Sequence, residues 1–106
     1  MKNNYHVSID EAIQLLSHEK SRFVEVMKDG DMTIEYYAPV IIDEQQPHKK
    51  DELYIIASGT SEFLRDKEKL TCKKGDVLFV PAHMEHRFIN FTQDFASWVI
   101  FYGKEK

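Results

Sequence analysis

Apolar and polar residues alternate along most of this chain in short runs, and this alternation predicts β-strands. The runs are RFVEVM, MTIEYYAPV, ELYIIASG, SEFLR, LTC, DVLFVP, HRFIN and ASWVIFYG. Asp29-Gly30, between the first two runs, is typical of a hairpin turn. Roughly eight short strands separated by polar turns are typical of an antiparallel sandwich or barrel.

One segment near the beginning of the chain has the period of a helix instead. Ser8 is followed three residues later by Glu11, which is the spacing of a capping box. The sequence therefore predicts a short helix from Ser8 to about Glu19, with one face packed on the strands. An apolar stripe along it consists of Ile9, Ala12, Ile13 and Leu16.

Length and composition narrow the class of protein. The chain has 106 residues, 42% of them hydrophobic, which predicts a single domain over residues 1–106 with one core. A formal charge of −4 argues against nucleic acid and anionic membranes as partners. The sequence has neither a run long enough to span a membrane nor a signal-peptide core. Together with a single cysteine, these features predict a soluble cytoplasmic protein.

A histidine and a glutamate stand four residues apart near the start of the third predicted strand. In an extended chain, alternate residues share a face, so Gln46, His48 and Glu52 would point the same way as Tyr54 and Ile56. Burying a charge without a partner is costly. A bound cation would be one such partner, and an ordinary wet turn is the alternative interpretation.

A second segment, GDVLFVPAHMEHRFIN at residues 75–90, adds further histidines. Together the two segments resemble the two motifs of the cupin superfamily, and the resemblance covers about residues 32–102. The residues that stand at the family's spacings are His48, Glu52 and Gly59 in the first motif and Gly75, Pro81, His86 and Asn90 in the second.

The resemblance implies an all-β fold, a small double-stranded β-helix or jelly-roll barrel over about residues 22–102, preceded by the short helix. It also implies a metal inside the mouth of the barrel, with His48, Glu52 and His86 as ligands. The family's first histidine falls on Gln46, which could be a weaker or water-mediated ligand through its amide oxygen. His83 stands where the family has glycine, so a positive φ is expected there, with the side chain at the rim.

The ligand set leaves both the metal and the function open. Two histidines and a carboxylate bind non-haem iron and catalytic zinc, so iron, zinc, manganese and nickel all stay candidates. One hypothesis is a metal-dependent enzyme, dioxygenase-like or isomerase-like, acting on a small organic molecule. The others are a non-catalytic barrel that binds or senses a small ligand, and an interaction protein with a relic site. The residues expected to line the pocket are Tyr54, Ile56, Phe88 and Asn90.

Two expectations concern the outside of the barrel. The family resemblance and the many large apolar residues predict a homodimer. The charged segment from Lys104 to Lys106 is expected to fray.

Overall fold

The computed structural model describes residues 5–106 and confirms the predicted order of elements. The helix α1 spans Ile9–Leu16. The strands are β1 (Phe23–Asp29), β2 (Met32–Tyr37), β3 (Asp51–Ser58), β4 (Thr60–Arg65), β5 (Glu68–Lys73), β6 (Val77–Val80), β7 (His86–Ile89) and β8 (Ala96–Tyr102).

The eight strands form two antiparallel sheets that face each other. The larger sheet has the order β1-β2-β8-β3-β6, and the smaller has the order β5-β4-β7. Strands distant in sequence become neighbours, as in the pairing of β8 with both β2 and β3. This all-β arrangement with one short helix confirms the predicted jelly-roll fold.

The main core lies between the two sheets. Along β3 the residues Glu52, Tyr54 and Ile56 alternate inward and are at most 1% exposed, because successive strand residues point to opposite faces. The predicted register of this strand is therefore correct, and it brings one carboxylate into an apolar interior. The inner cluster consists of Tyr37, Tyr54, Ile56, Phe63, Cys72, Val80, Phe88, Phe95 and Val99.

The helix packs on the outside of the larger sheet. Its capping box is present, since Ser8 Oγ accepts from the Glu11 amide at 3.1 Å and Glu11 Oε1 accepts from the Ser8 amide at 3.0 Å. Ala12 and Leu16 are buried against this sheet, whereas Ile13 is 51% exposed. The helix ends at Leu16 rather than at about Glu19, because the next backbone bonds tighten to i→i−3 spacing.

The outer face of the larger sheet carries a second apolar surface. Four strands contribute one aliphatic or aromatic residue each to a row in register, which consists of Ile34, Ile100, Leu53 and Phe79. Phe79 is 43% exposed. Within residues 5–106, no helix is long and apolar enough to cross a membrane.

Candidate metal centre

Three side chains from different parts of the fold converge at one end of the barrel. His48 lies in the loop that leads into β3, Glu52 lies on β3 itself, and His86 begins β7 in the opposite sheet. One ligand atom from each residue falls within 4.8 Å of the others. The three residues that the family resemblance selects as ligands therefore form one cluster that could hold a metal ion.

The atoms of this cluster face each other without hydrogen bonds. His86 Nε2 is 2.9 Å from Glu52 Oε1, and His48 Nε2 is 3.9 Å from Glu52 Oε2. All four atoms are buried, and none of them forms a regular hydrogen bond with any group in residues 5–106. Buried polar atoms are nearly always satisfied, so four orphaned atoms at one point fit a cation between them.

The orientation of His86 is fixed from behind. Its Nδ1 is 2.9 Å from the carbonyl oxygen of Met84. A carbonyl oxygen only accepts, so Nδ1 carries the proton and donates, which leaves the Nε2 lone pair directed at Glu52 in the neutral ring. A backbone partner on the remote nitrogen is the usual support of a metal-binding histidine.

Burial and charge act in opposite directions on the two imidazoles. Burial lowers the pKa of His86, but Glu52 and the Met84 carbonyl oxygen outweigh it, so this pKa is raised. Burial also lowers the pKa of His48, and here the Glu52 carboxylate does not compensate, so the pKa is lowered. Neutral His48 is the metal-binding form, and His86 is the position where a proton competes with a metal.

Gln46 does not join the cluster in the same way. It is exposed and lines a depression of about 390 Å³ together with His86 and Pro47. Its neighbour Gln45 is half-buried, and Gln45 Oε1 accepts a hydrogen bond of 2.8 Å from the Tyr54 hydroxyl. Gln46 and His86 therefore border the same depression, and a weak or water-mediated contact of Gln46 with a metal stays a prediction.

The residues expected to line the pocket occupy two different environments. Tyr54, Ile56 and Phe88 are 0–1% exposed and pack beneath the cluster, with the ring centroids of Tyr54 and His86 5.9 Å apart. Asn90 is exposed, follows the end of β7 and donates to Glu62 Oε1. Four strand residues from His86 correspond to about 13 Å, so Asn90 lies away from the cluster.

A second depression borders the cluster on the side of His48. It has a volume of about 470 Å³, and its lining includes Thr33, Pro47, His48 and Phe101. The His48 side chain is 34% exposed, whereas those of Glu52 and His86 are 1% and 0% exposed. Solvent or a small molecule therefore reaches the cluster most directly past His48.

His83 lies at the rim and contacts the end of the described chain. Its φ of +70° is the left-handed conformation expected from its alignment with a family glycine. His83 Nε2 is 2.5 Å from the carbonyl oxygen of Lys106, and the Lys106 ammonium is 2.7 Å from Asp51 Oδ2. Lys106 is thus held against the rim, and the expectation that this segment frays is wrong.

One buried carboxylate beside the cluster is not among the residues that the sequence predicts for the site. Asp43 is 1% exposed and accepts four hydrogen bonds. Oδ1 accepts from the Tyr37 hydroxyl at 2.5 Å and from the Gln45 amide at 3.0 Å. Oδ2 accepts from Gln45 Nε2 at 3.0 Å and from the Phe88 amide at 2.8 Å. Asp43 thereby ties the segment before His48 to the strand that carries His86.

Comparison with known proteins finds a matching family and a relative that shares most of the chain. A family model described as "Cupin domain" matches residues 33–102. An uncharacterized protein of Streptomyces coelicolor is 28% identical over 81 residues, which cover 74% of this chain and 77% of that protein.

Solved structures share the fold at lower identity. The plu4264 protein of Photorhabdus luminescens has a TM-score of 0.71 at 20% identity, covering 98% of this chain and 90% of its own. A structure from work on the DMSP lyases RdDddP and RnDddQII has a TM-score of 0.57 at 25% identity, covering 70% of this chain and 38% of that one.

Proposed function

This chain belongs to the cupin family, and we propose that it binds a divalent metal ion through His48, Glu52 and His86 and presents that ion to a small organic molecule. The observation that carries the proposal is the set of four buried, orphaned ligand atoms around Glu52. Iron, zinc, manganese and nickel all suit two imidazoles and a carboxylate. Gln46 is assigned a weaker, water-mediated role.

The number of ligands supports an open site. Structural zinc sites are usually closed by four protein ligands, whereas three ligands leave positions for water or substrate. The partly exposed side of His48, beside Thr33 and Phe101, supplies the route to those positions. A bound metal would act there as a Lewis acid and lower the pKa of a bound water.

Metal-centred catalysis, of a dioxygenase-like or isomerase-like kind, is the function we assign first. A DMSP lyase structure with a similar fold supports a catalytic use of such a barrel, although only the fold is shared. The alternative is a non-catalytic barrel that binds or senses a small ligand.

We extend the proposal to assembly and location. A homodimer is supported by the apolar row on the outer face of the larger sheet, where a second copy would cover Phe79 and Ile100. A cytoplasmic location, with no nucleic-acid or membrane partner, rests on the sequence arguments alone.

The test has two steps. Elemental analysis of protein purified without chelator and without a histidine tag should give about one metal ion per chain. Azide or nitric oxide added to the cobalt-loaded or iron-loaded protein should then change the metal's spectrum. Protein free of metal even after loading would refute the metal site. Loaded protein that neither probe perturbs would favour the sensing alternative over catalysis.

A further inference from the structure

Residues 5–106 contain two buried carboxylates, Glu52 and Asp43, and the proposed metal site uses only Glu52 as a ligand. The two oxygens of Asp43 accept two hydrogen bonds each, from the Tyr37 hydroxyl, the Gln45 amide, Gln45 Nε2 and the Phe88 amide. A protonated carboxyl group would have to donate, and all four partners are themselves donors. Burial and the Asp43 charge raise the pKa of Tyr37, so its hydroxyl keeps the proton that it donates. Asp43 is therefore present as a carboxylate.

This carboxylate has no cationic side chain as its partner. Within residues 5–106, no lysine or arginine forms an ion pair with Asp43. Four hydrogen bonds offset part of the cost of burying the charge, but a buried charge without a counter-charge still destabilises the fold. A positive charge near the Asp43 carboxylate would therefore offset the remaining cost of burying it.

A metal ion bound at the cluster is a candidate for that positive charge. Asp43 lies beside the cluster, because it bonds Gln45, three residues before His48, and the Phe88 amide, two residues after His86. Tyr54 connects the same groups, since its hydroxyl donates to Gln45 Oε1 and its ring centroid is 5.9 Å from that of His86. Asp43 is thus close enough to act on a cation at the cluster without being one of its ligands.

The Asp43 charge can offset the charge that a bound ion would bring. A divalent ion held by two neutral imidazoles and one carboxylate leaves a net charge of +1, and Asp43 brings it to zero. We propose that Asp43 is the outer counter-charge of the metal site, which raises the affinity for the dication and restrains the binding of anions to the bound metal. This inference rests on the proposed function.

The experiment measures the affinity of the site for cobalt(II) and the affinity of the cobalt-loaded site for azide. Removal of the Asp43 charge should weaken the first and strengthen the second. In Asp43→Asn the cobalt(II) dissociation constant should rise by about 10–100-fold, the usual effect of losing an outer-shell partner. Azide should bind the cobalt-loaded variant several-fold more tightly, because the site gains one positive charge. Glu44→Gln, which removes an exposed charge one residue away, is the matched control and should change neither constant more than about twofold.

A second pair of variants leaves Asp43 in place, in case Asp43→Asn does not fold. Gln45→Lys puts an ammonium group beside the intact carboxylate and should weaken cobalt binding while strengthening azide binding. Gln45→Met, which has similar length and no charge, should not produce this opposed pair of changes. Both variants lose Gln45 Oε1, which accepts from the Tyr54 hydroxyl, whereas only lysine keeps a donor toward Asp43. The opposed directions of the two affinity changes, rather than their size, therefore identify the effect of charge.

The outcomes separate this inference from the proposed function. Wild-type protein that does not bind cobalt refutes the metal site itself. Wild-type binding together with variants that weaken both affinities would show that Asp43 only supports the fold. Variants that change neither affinity would show that its charge does not reach the metal. Either of these last two results would refute the counter-charge role of Asp43 without refuting the metal site.

Discussion

The main-chain amide of His83 donates a hydrogen bond of 2.7 Å to the carbonyl oxygen of His48. This bond joins the loop before β7 to the loop before β3, which carries one of the proposed ligands. The His83 side chain takes no part in it and points instead to Lys106. His83 thus supports the site through its backbone, and His86 through its imidazole.

Replacing these two histidines by alanine should therefore have different effects. His86→Ala removes a ligand and should abolish metal retention after desalting. His83→Ala keeps the backbone bond to His48 and should retain about one metal per chain, measured by elemental analysis. His83→Gly is the matched control, because glycine adopts the φ of +70° without strain. The opposite result for the two alanine variants would mean that the second motif has been aligned three residues out of place.

Glu52→Gln should weaken metal binding although the shape of the side chain is nearly unchanged. The amide keeps one oxygen but loses the negative charge, and its NH₂ group would face one of two imidazole lone pairs. We expect the metal dissociation constant to rise at least about tenfold by titration calorimetry. Glu85→Gln, which changes an exposed carboxylate beside His86, should bind metal like the wild type. Equal affinities for Glu52→Gln and wild type would rule out Glu52 as a ligand.

The repeating patterns in the sequence account for the strands and for the inward direction of Glu52, whereas His48 and His86 follow from the family resemblance. Alternation along β3 puts Glu52, Tyr54 and Ile56 on one face without reference to any other segment. The capping box fixes the start of α1 for the same local reason, whereas its end at Leu16 depends on a backbone turn that has no side-chain signature.

Asp43 and Lys106 could not be predicted, because their partners are distant in sequence. Asp43 bonds the Phe88 amide 45 residues away, and Lys106 pairs with Asp51 55 residues away. The segment around Asp43 has neither a helical nor a strand period, so nothing local indicates burial. The family spacing selects Gln46 and nothing local distinguishes Gln45, although Gln45 makes the buried contacts.

Glu35, which is not one of the proposed metal ligands, predicts a pH dependence of folding. Burial, and then the carboxylates of Glu25 and Glu52, raise the pKa of Glu35 from 4.5 to about 7. A carboxyl group whose pKa is raised on folding stabilises the protein below its unfolded pKa, and this contribution is lost as the pH rises through the folded pKa.

The contribution of Glu35 should therefore decline between pH 4.5 and about 7. Across this window, the wild type should lose about 1–2 kcal/mol of unfolding free energy relative to Glu35→Gln, allowing for partial solvent screening. Denaturant titrations at several pH values measure the difference. Glu19→Gln, which changes an exposed helix-end carboxylate, should follow the wild-type curve. A Glu35→Gln curve parallel to the wild type would show that Glu35 ionises normally.

Gly59 should tolerate a side chain far less well than another glycine with the same backbone conformation. Gly59 and Gly103 have φ values of +74° and +76°. A Cβ at Gly59 would lie 2.5 Å from Thr92 Oγ1 and 2.8 Å from the Phe95 Cα, whereas a Cβ at Gly103 meets nothing within 4 Å. We expect Gly59→Ala to cost about 2–4 kcal/mol and Gly103→Ala about 1 kcal/mol in thermal or chemical unfolding. Similar costs would show that φ alone, rather than the close approach, constrains Gly59.

The hydrogen bond from the Phe88 amide to Asp43 also bears on how this fold resists open-ended strand pairing between molecules. The strand β7 ends its sheet and pairs only with β4, so its free side would offer unpaired amides to an edge strand of another molecule. Asp43 accepts one of these amides with a side chain, at a position where a neighbouring strand would otherwise dock. A charged group that caps a sheet edge in this way blocks the growth of intermolecular β-structure.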